Sequence, residues 1–111
     1  MNWISLESEE QLKEIKQNEG YSLIFKHSTR CSISMMAKRR FELEWDELPK
    51  DISLYFLDLI KYRELSAQVA QVFQVAHESP QLLLIRDSEC ILDQSHGDIS
   101  VEEAVSVVSP S

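Results

Sequence analysis

Short apolar runs recur along this chain, and stretches with helical spacing separate them. The runs at 21–26 (Tyr-Ser-Leu-Ile-Phe-Lys), 52–57 and 82–85 (Leu-Leu-Leu-Ile) are too short for helices of ordinary length and carry little polar alternation. Such runs read as buried strands. Between them, apolar residues return at helical intervals: Leu12 and Ile15; then Ile33, Met36, Ala37 and Phe41; then Leu65, Val69, Val72 and Phe73. Strands joined through helices are parallel when the crossovers are right-handed. A sheet built this way has helices on both faces.

The element ends follow from local chemistry. A short strand at Trp3 and Ile4 precedes Ser8-Glu9-Glu10-Gln11, a capping-box pattern, and Gly20 is the expected stop of that helix. The second helix ends near Trp45, with its Met35–Met36 pair read as core filler. His77-Glu78-Ser79-Pro80 breaks the third helix, and Asp87-Ser88 forms a tight turn between 82–85 and a returning strand at Cys90-Ile91-Leu92. Ser100-Val101-Glu102-Glu103 is a second capping box, followed by Val101, Ala104, Val105 and Val108 on the last helix face. The expected order is β-α-β-α-β-α-β-β-α: an α/β protein with a central mixed sheet, helices on both faces and an antiparallel hairpin at the edge. With 111 residues it fits one domain, 1–111, with a frayed tail after about 108.

Charge narrows the function. Nineteen acidic against eleven basic residues leave a net charge of −8. Phosphate contacts dominate nucleic-acid affinity, so such a chain is not expected to bind nucleic acid. No apolar run approaches the length of a membrane helix, and no basic segment followed by an apolar stretch opens the chain; the expectation is a cytoplasmic protein with no membrane partner. One window departs from the acidic average. Lys26, Arg30, Lys38, Arg39 and Arg40 fall within 26–40 without an acidic residue, and Cys31 lies among them. Lys38 to Arg40 read as a solvated helix face.

Two cysteines 59 residues apart, with scattered histidines, do not make a zinc site or a Cys-x-x-Cys pair. No metal is expected. Cys31 stands where a strand ends and a helix begins, beside unpaired N–H groups and the positive end of the helix dipole. A thiolate is stabilised there, and Lys26 and Arg30 add positive charge. Ser34, three residues on, is expected to turn its hydroxyl toward the sulfur. The pattern is a monothiol C-x-x-S, one nucleophile with no resolving cysteine beside it. Cys90, in a hairpin strand, reads as a buried inert thiol. His27 reads either as a hydrogen-bonded strand-end residue or as part of the site, and His77 and His96 read as turn residues. A cis bond before Pro80 would bend the chain and expose the backbone groups of Ser79 to an extended partner.

Three segments together carry a family resemblance that spans essentially the whole chain: Lys26-His27-Ser28-Thr29-Arg30-Cys31-Ser32-Ile33-Ser34, His77-Glu78-Ser79-Pro80-Gln81, and Ser95-His96 followed by Ile99-Ser100. They resemble the monothiol bacilliredoxins of the YtxJ type, within the thioredoxin-like superfamily. Members often have Pro directly after the cysteine, where this chain has Ser32. The resemblance implies a thioredoxin-like fold and a thiol-disulfide oxidoreductase that removes bacillithiol from mixed disulfides on client proteins. It implies no tightly bound cofactor, with bacillithiol as a co-substrate. Cys31 would be the nucleophile and Ser34 its neighbour in the motif, while Lys26, His27, Arg30, Ser79 and Pro80 would bind substrate, with Lys26 and Arg30 complementing the carboxylates of bacillithiol's malate group. A second molecule of a low-molecular-weight thiol, or a partner disulfide reductase, would resolve the adduct on Cys31. Two alternatives stand beside this reading: a redox-inactive module that binds peptides at Ser79-Pro80, and a glutaredoxin-like enzyme that uses glutathione.

Overall fold

The computed structural model describes residues 2–28 and 31–108. Its elements, in chain order, are β1 (Ile4–Ser5), α1 (Glu9–Gln17), β2 (Tyr21–His27), α2 (Ser32–Glu44), β3 (Ser53–Asp58), α3 (Arg63–Phe73), β4 (Gln81–Arg86), β5 (Glu89–Ser95) and α4 (Val101–Val108), with short 3-10 turns at Trp45–Glu47 and His96–Asp98. The expected order holds throughout. The strands lie β1-β3-β2-β4-β5 across one sheet. β1, β3 and β2 are parallel, and β4 and β5 are antiparallel to their neighbours.

Alternation along β2 divides the core in two. Leu23 and Phe25 face one side and pack with Ala37 and Phe41 of α2 and with Val101, Ala104 and Val108 of α4. Ile24 faces the other and packs with Leu12 and Ile15 of α1 and with Leu65, Val69 and Phe73 of α3. The expected layers, with helices on both faces of a mixed sheet, are therefore present.

Several local expectations need correction. On α2 the buried positions are Ser34, Ala37 and Phe41. Ile33 and Met36 are 63% and 68% exposed, and Met35 is 55% exposed. The methionines do not fill the core, because the helix is rolled about one residue from the apolar stripe that the sequence suggests. α1 ends at Gln17, capped by Asn18 in extended geometry, so Gly20 does not close it. Gly20 instead takes φ +101° in the turn into β2, a conformation that suits glycine. There its N–H donates to Asp87 Oδ1 at 2.7 Å, which ties this turn to the hairpin.

The capping box at Ser8 forms as expected, with Ser8 and Gln11 exchanging bonds. The one at Ser100 is half-formed. Glu103 N–H donates to Ser100 Oγ, but Ser100 N–H donates to Gln94 Oε1 and the Glu103 carboxylate accepts from Gln94 Nε2. A buried glutamine of β5 thus takes the place of the reciprocal bond. Between β4 and β5 the register shifts at Leu84/Ile85: Leu84 opposes Leu92, but Ile85 opposes Cys90, which leaves Ile91 as an extra residue. This bulge places Cys90 and Leu92, two residues apart, against opposite core layers.

Candidate active site

The carboxyl ends of β2 and β3 and the amino end of β4 meet at one edge of the sheet. His27 pairs with Asp58, and Lys26 pairs with Gln81. The segment after β2 and the bend before β4 therefore rise from the same edge. Cys31 is the N-cap residue of α2, in extended geometry. Its N–H donates to Ser28 C=O at 3.2 Å, and its own carbonyl accepts from Met35 N–H at 3.0 Å. Its side chain makes no capping bond and is partly exposed. The sulfur is thus neither sealed in the core nor occupied in holding the helix end. Arg30 lies outside the described residues, as does the tail from 109 to 111.

Ser34 does not turn to the sulfur as expected. Fully buried, its Oγ lies 2.7 Å from His27 Nδ1 and accepts from Ser28 N–H at 3.1 Å. It ties Ser28 and the start of α2 to the end of β2. His27 is buried with it, its ring centroid 5.3 Å from that of Phe56. Burial, reinforced by the positive charge of Lys38, pulls the imidazole's pKa below its ordinary value. The expectation of a hydrogen-bonded strand-end histidine fits this geometry.

Lys26 departs most from the sequence reading. Expected to flank the thiol and meet substrate, it is fully buried. Its parity along β2 matches Ile24, so it enters the layer under α3 rather than the face of α2. Nζ donates to Ser66 C=O at 3.4 Å and to His77 Nδ1 at 3.2 Å. Ser66 Oγ also lies 3.3 Å from that nitrogen. Burial lowers the Lys26 pKa to about 8, and burial together with the lysine's charge lowers that of His77. An ammonium cannot accept a hydrogen bond, so Nδ1 of His77 offers its lone pair and the ring carries its hydrogen on Nε2.

The bend before β4 is braced from within. The Ser79–Pro80 peptide bond is cis. Gln81, buried, accepts from Glu78 N–H at 3.4 Å and donates to Ala76 C=O at 3.0 Å. Pro80 C=O accepts from His96 N–H at 3.0 Å, and the His96 ring approaches the Glu78 carboxylate at 3.4 Å. Among the described residues nothing bonds to the backbone N–H or C=O of Ser79. The sequence signal for this brace was the run His77 to Gln81 together with Ser95-His96, which the fold brings into one cluster.

Two grooves flank this edge. One, of about 540 Å³, runs from Ser28 past Leu59, Ile60 and Arg63 to His77 and Ser79, with Ser66 and Ala67 on α3. The other, of about 400 Å³, lies along α2 between His27, Met35, Met36 and Lys38. Lys38 is held by Glu42 at 2.8 Å, and Glu42 also accepts from Trp3 Nε1 at 2.6 Å. Burial raises the Glu42 carboxyl pKa, but those two donors outweigh it and hold the carboxyl below its usual range. This network was not legible in the sequence, because Trp3 and Glu42 are far apart along the chain.

Cys90 is of a different kind. It sits half-buried against the layer of α1 and α3, and burial pushes its thiol up to about 11. Its Sγ–H donates to Leu92 C=O at 3.4 Å. Among the described residues no helix is long and apolar enough to cross a membrane.

Comparison with known proteins follows the same lines. The family model described as "Monothiol bacilliredoxin BrxC" matches residues 4–104. A solved thioredoxin-fold protein, proposed to be an oxidoreductase, is 33% identical over 91% of this chain and 88% of its own, with a TM-score of 0.80. Malassezia sympodialis thioredoxin is 18% identical over 97% of this chain and 91% of its own, with a TM-score of 0.78. Trypanosoma brucei brucei thioredoxin is 14% identical over 86% and 79%, with a TM-score of 0.71. At those identities the two thioredoxins speak to the fold alone.

Proposed function

The chain belongs to the monothiol bacilliredoxin family, whose thioredoxin-like fold is that of thiol redox proteins, and from that membership we propose that it removes bacillithiol from protein mixed disulfides through Cys31. The observation that carries the reading is the placement of Cys31: partly exposed, free of capping duty, at the amino end of α2 and one turn from Ser28. Thiol-disulfide exchange needs a thiolate with access to a disulfide sulfur. The amino end of a helix stabilises negative charge.

The Cys31 thiolate attacks the sulfur of the small thiol. A new S–S bond forms there, the bond to the client's sulfur breaks, and the client departs as a thiolate that takes a proton from solvent. The number of disulfides is unchanged. Ser34 has no thiol with which to resolve the adduct, so a second small thiol or a partner reductase does so. Ser79 leaves its backbone groups open to an extended client segment, and the exposed Ile33, Met35 and Met36 offer it an apolar margin.

Turnover of a bacillithiolated client protein tests the reading. Cys31→Ala is expected to abolish release of the client thiol, and Cys90→Ala to retain most of it. Equal turnover by the Cys31→Ala protein would end the Cys31 mechanism, and no turnover by the wild-type protein would leave the redox-inactive peptide-binding module as the surviving account. A parallel assay with glutathionylated client separates the bacillithiol enzyme from a glutaredoxin-like one.

A further inference from the structure

Lys26 is the one buried Lys, Arg, Asp or Glu among the described residues. Buried charges are ordinarily paired with an opposite charge. Among the described residues no carboxylate lies within 4 Å of this ammonium. It has a backbone carbonyl and a neutral imidazole instead. The nearby carboxylate at the end of β3, Asp58, is turned onto the N–H groups of Ile60 and Lys61. An uncompensated cation therefore lies behind His77, and His77 lines the 540 Å³ groove. The groove's far wall carries the exposed Arg63, and its near end is Ser28, whose carbonyl holds Cys31 N–H. Its volume lies within the range of small-molecule sites, and its few polar groups converge from three segments.

We propose that this groove seats the acid-bearing end of the small thiol while its sulfur is presented to Cys31, with Arg63 and His77 Nε2–H as hydrogen-bond donors and Lys26 supplying positive charge from beneath. The assignment rests on the redox reading above. It replaces the expected direct contact of Lys26 with substrate by an indirect one: Lys26 is a positioning residue that holds His77 with its N–H outward and biases the groove toward anions. Arg63, which no motif singled out, becomes the direct carboxylate partner.

The test compares two substrates that differ only at the acid end. One single-cysteine peptide is prepared as its mixed disulfide with bacillithiol and with bacillithiol whose malate carboxylates are methyl esters. The wild-type protein is expected to prefer the free acid by about tenfold in kcat/KM, the size of one charge-assisted hydrogen bond. That preference should collapse in Arg63→Gln and His77→Ala, both at exposed positions, and in Lys26→Met. Equal wild-type turnover of the two substrates overturns the groove assignment and leaves the redox reading standing. So does a preference that survives in Arg63→Gln and His77→Ala, or a loss that lowers both substrates alike. Turnover of neither substrate by the wild-type protein overturns the redox reading itself, and this inference with it.

Discussion

The hydroxyl of Ser34 lies 2.7 Å from Nδ1 of His27, and both side chains are buried. The same oxygen accepts from Ser28 N–H. One serine thus ties His27, at the end of β2, and Ser28 to the start of α2. In the C-x-x-S pattern, this serine's work is to hold the platform on which the sulfur stands.

Replacing Ser34 with alanine should therefore be felt in stability first. Two polar groups, the part-buried Ser28 N–H and the buried His27 Nδ1, would lose their partner, at about 1–3 kcal/mol. Urea unfolding should show a lower midpoint with an unchanged slope. Turnover should fall as well, because Ser28, whose carbonyl holds Cys31 N–H, is released. A Ser34→Ala protein with wild-type midpoint and rate would mean that the clamp contributes nothing.

Lys26→Met should act in the opposite direction. The folded-state pKa of Lys26, about 8, lies below its ordinary value of 10.5. Below pH 8 both folded and unfolded chains carry the charge, and the full cost of burying it is present. Between about 8 and 10.5 the unfolded chain holds more protons, so the stability of the wild-type protein rises with pH, and above that window the cost is gone. Methionine at 26 should thus stabilise the protein at pH 7 by roughly 1–2 kcal/mol after solvent screening, and the gain should shrink toward pH 10.5. Paired unfolding curves at pH 7 and pH 10 check this; a gain of equal size at both would show that the charge is not its source.

The two thiols should separate under alkylation. With its thiol near 11, Cys90 carries about one thiolate per thousand molecules at pH 8. Iodoacetamide at that pH should label Cys31 well before Cys90, as read by peptide mass spectrometry. The Cys90 rate should climb about tenfold per pH unit until pH approaches 11. Comparable labelling of both at pH 8 would contradict the burial that sets Cys90 apart.

The fold was open to sequence reading because strand and helix periods alternate cleanly. The runs at 21–26 and 82–85 are apolar on both faces, which is what central strands require. The site was legible only where local chemistry dictates it: Cys31 at a helix start and Pro80 before a strand. Long-range packing decided the rest. A lysine at the end of a buried strand can point to either layer, and the parity of β2 sends Lys26 under α3. Helical spacing sets Ile33 and Met36 beside Ala37 and Phe41 as readily as it sets Ser34 there, and only packing against Phe25 and Leu84 keeps Ala37 and Phe41 inside and turns Ile33 and Met36 out. The bulge at Ile91 had no signal in Cys90-Ile91-Leu92, since one extra residue leaves the apolar character of a short run unchanged.

That bulge lies on β5, the outermost strand on its side of the sheet. An outer strand with a free ladder is a template onto which another chain can extend. Here the bulge interrupts the ladder midway, and Glu89 and Asp93 stand exposed on either side of the break. A second copy laid against this margin would meet both a mismatched spacing of donors and acceptors and a row of like charges. One surplus isoleucine thereby guards this margin of the sheet against fibrous self-stacking.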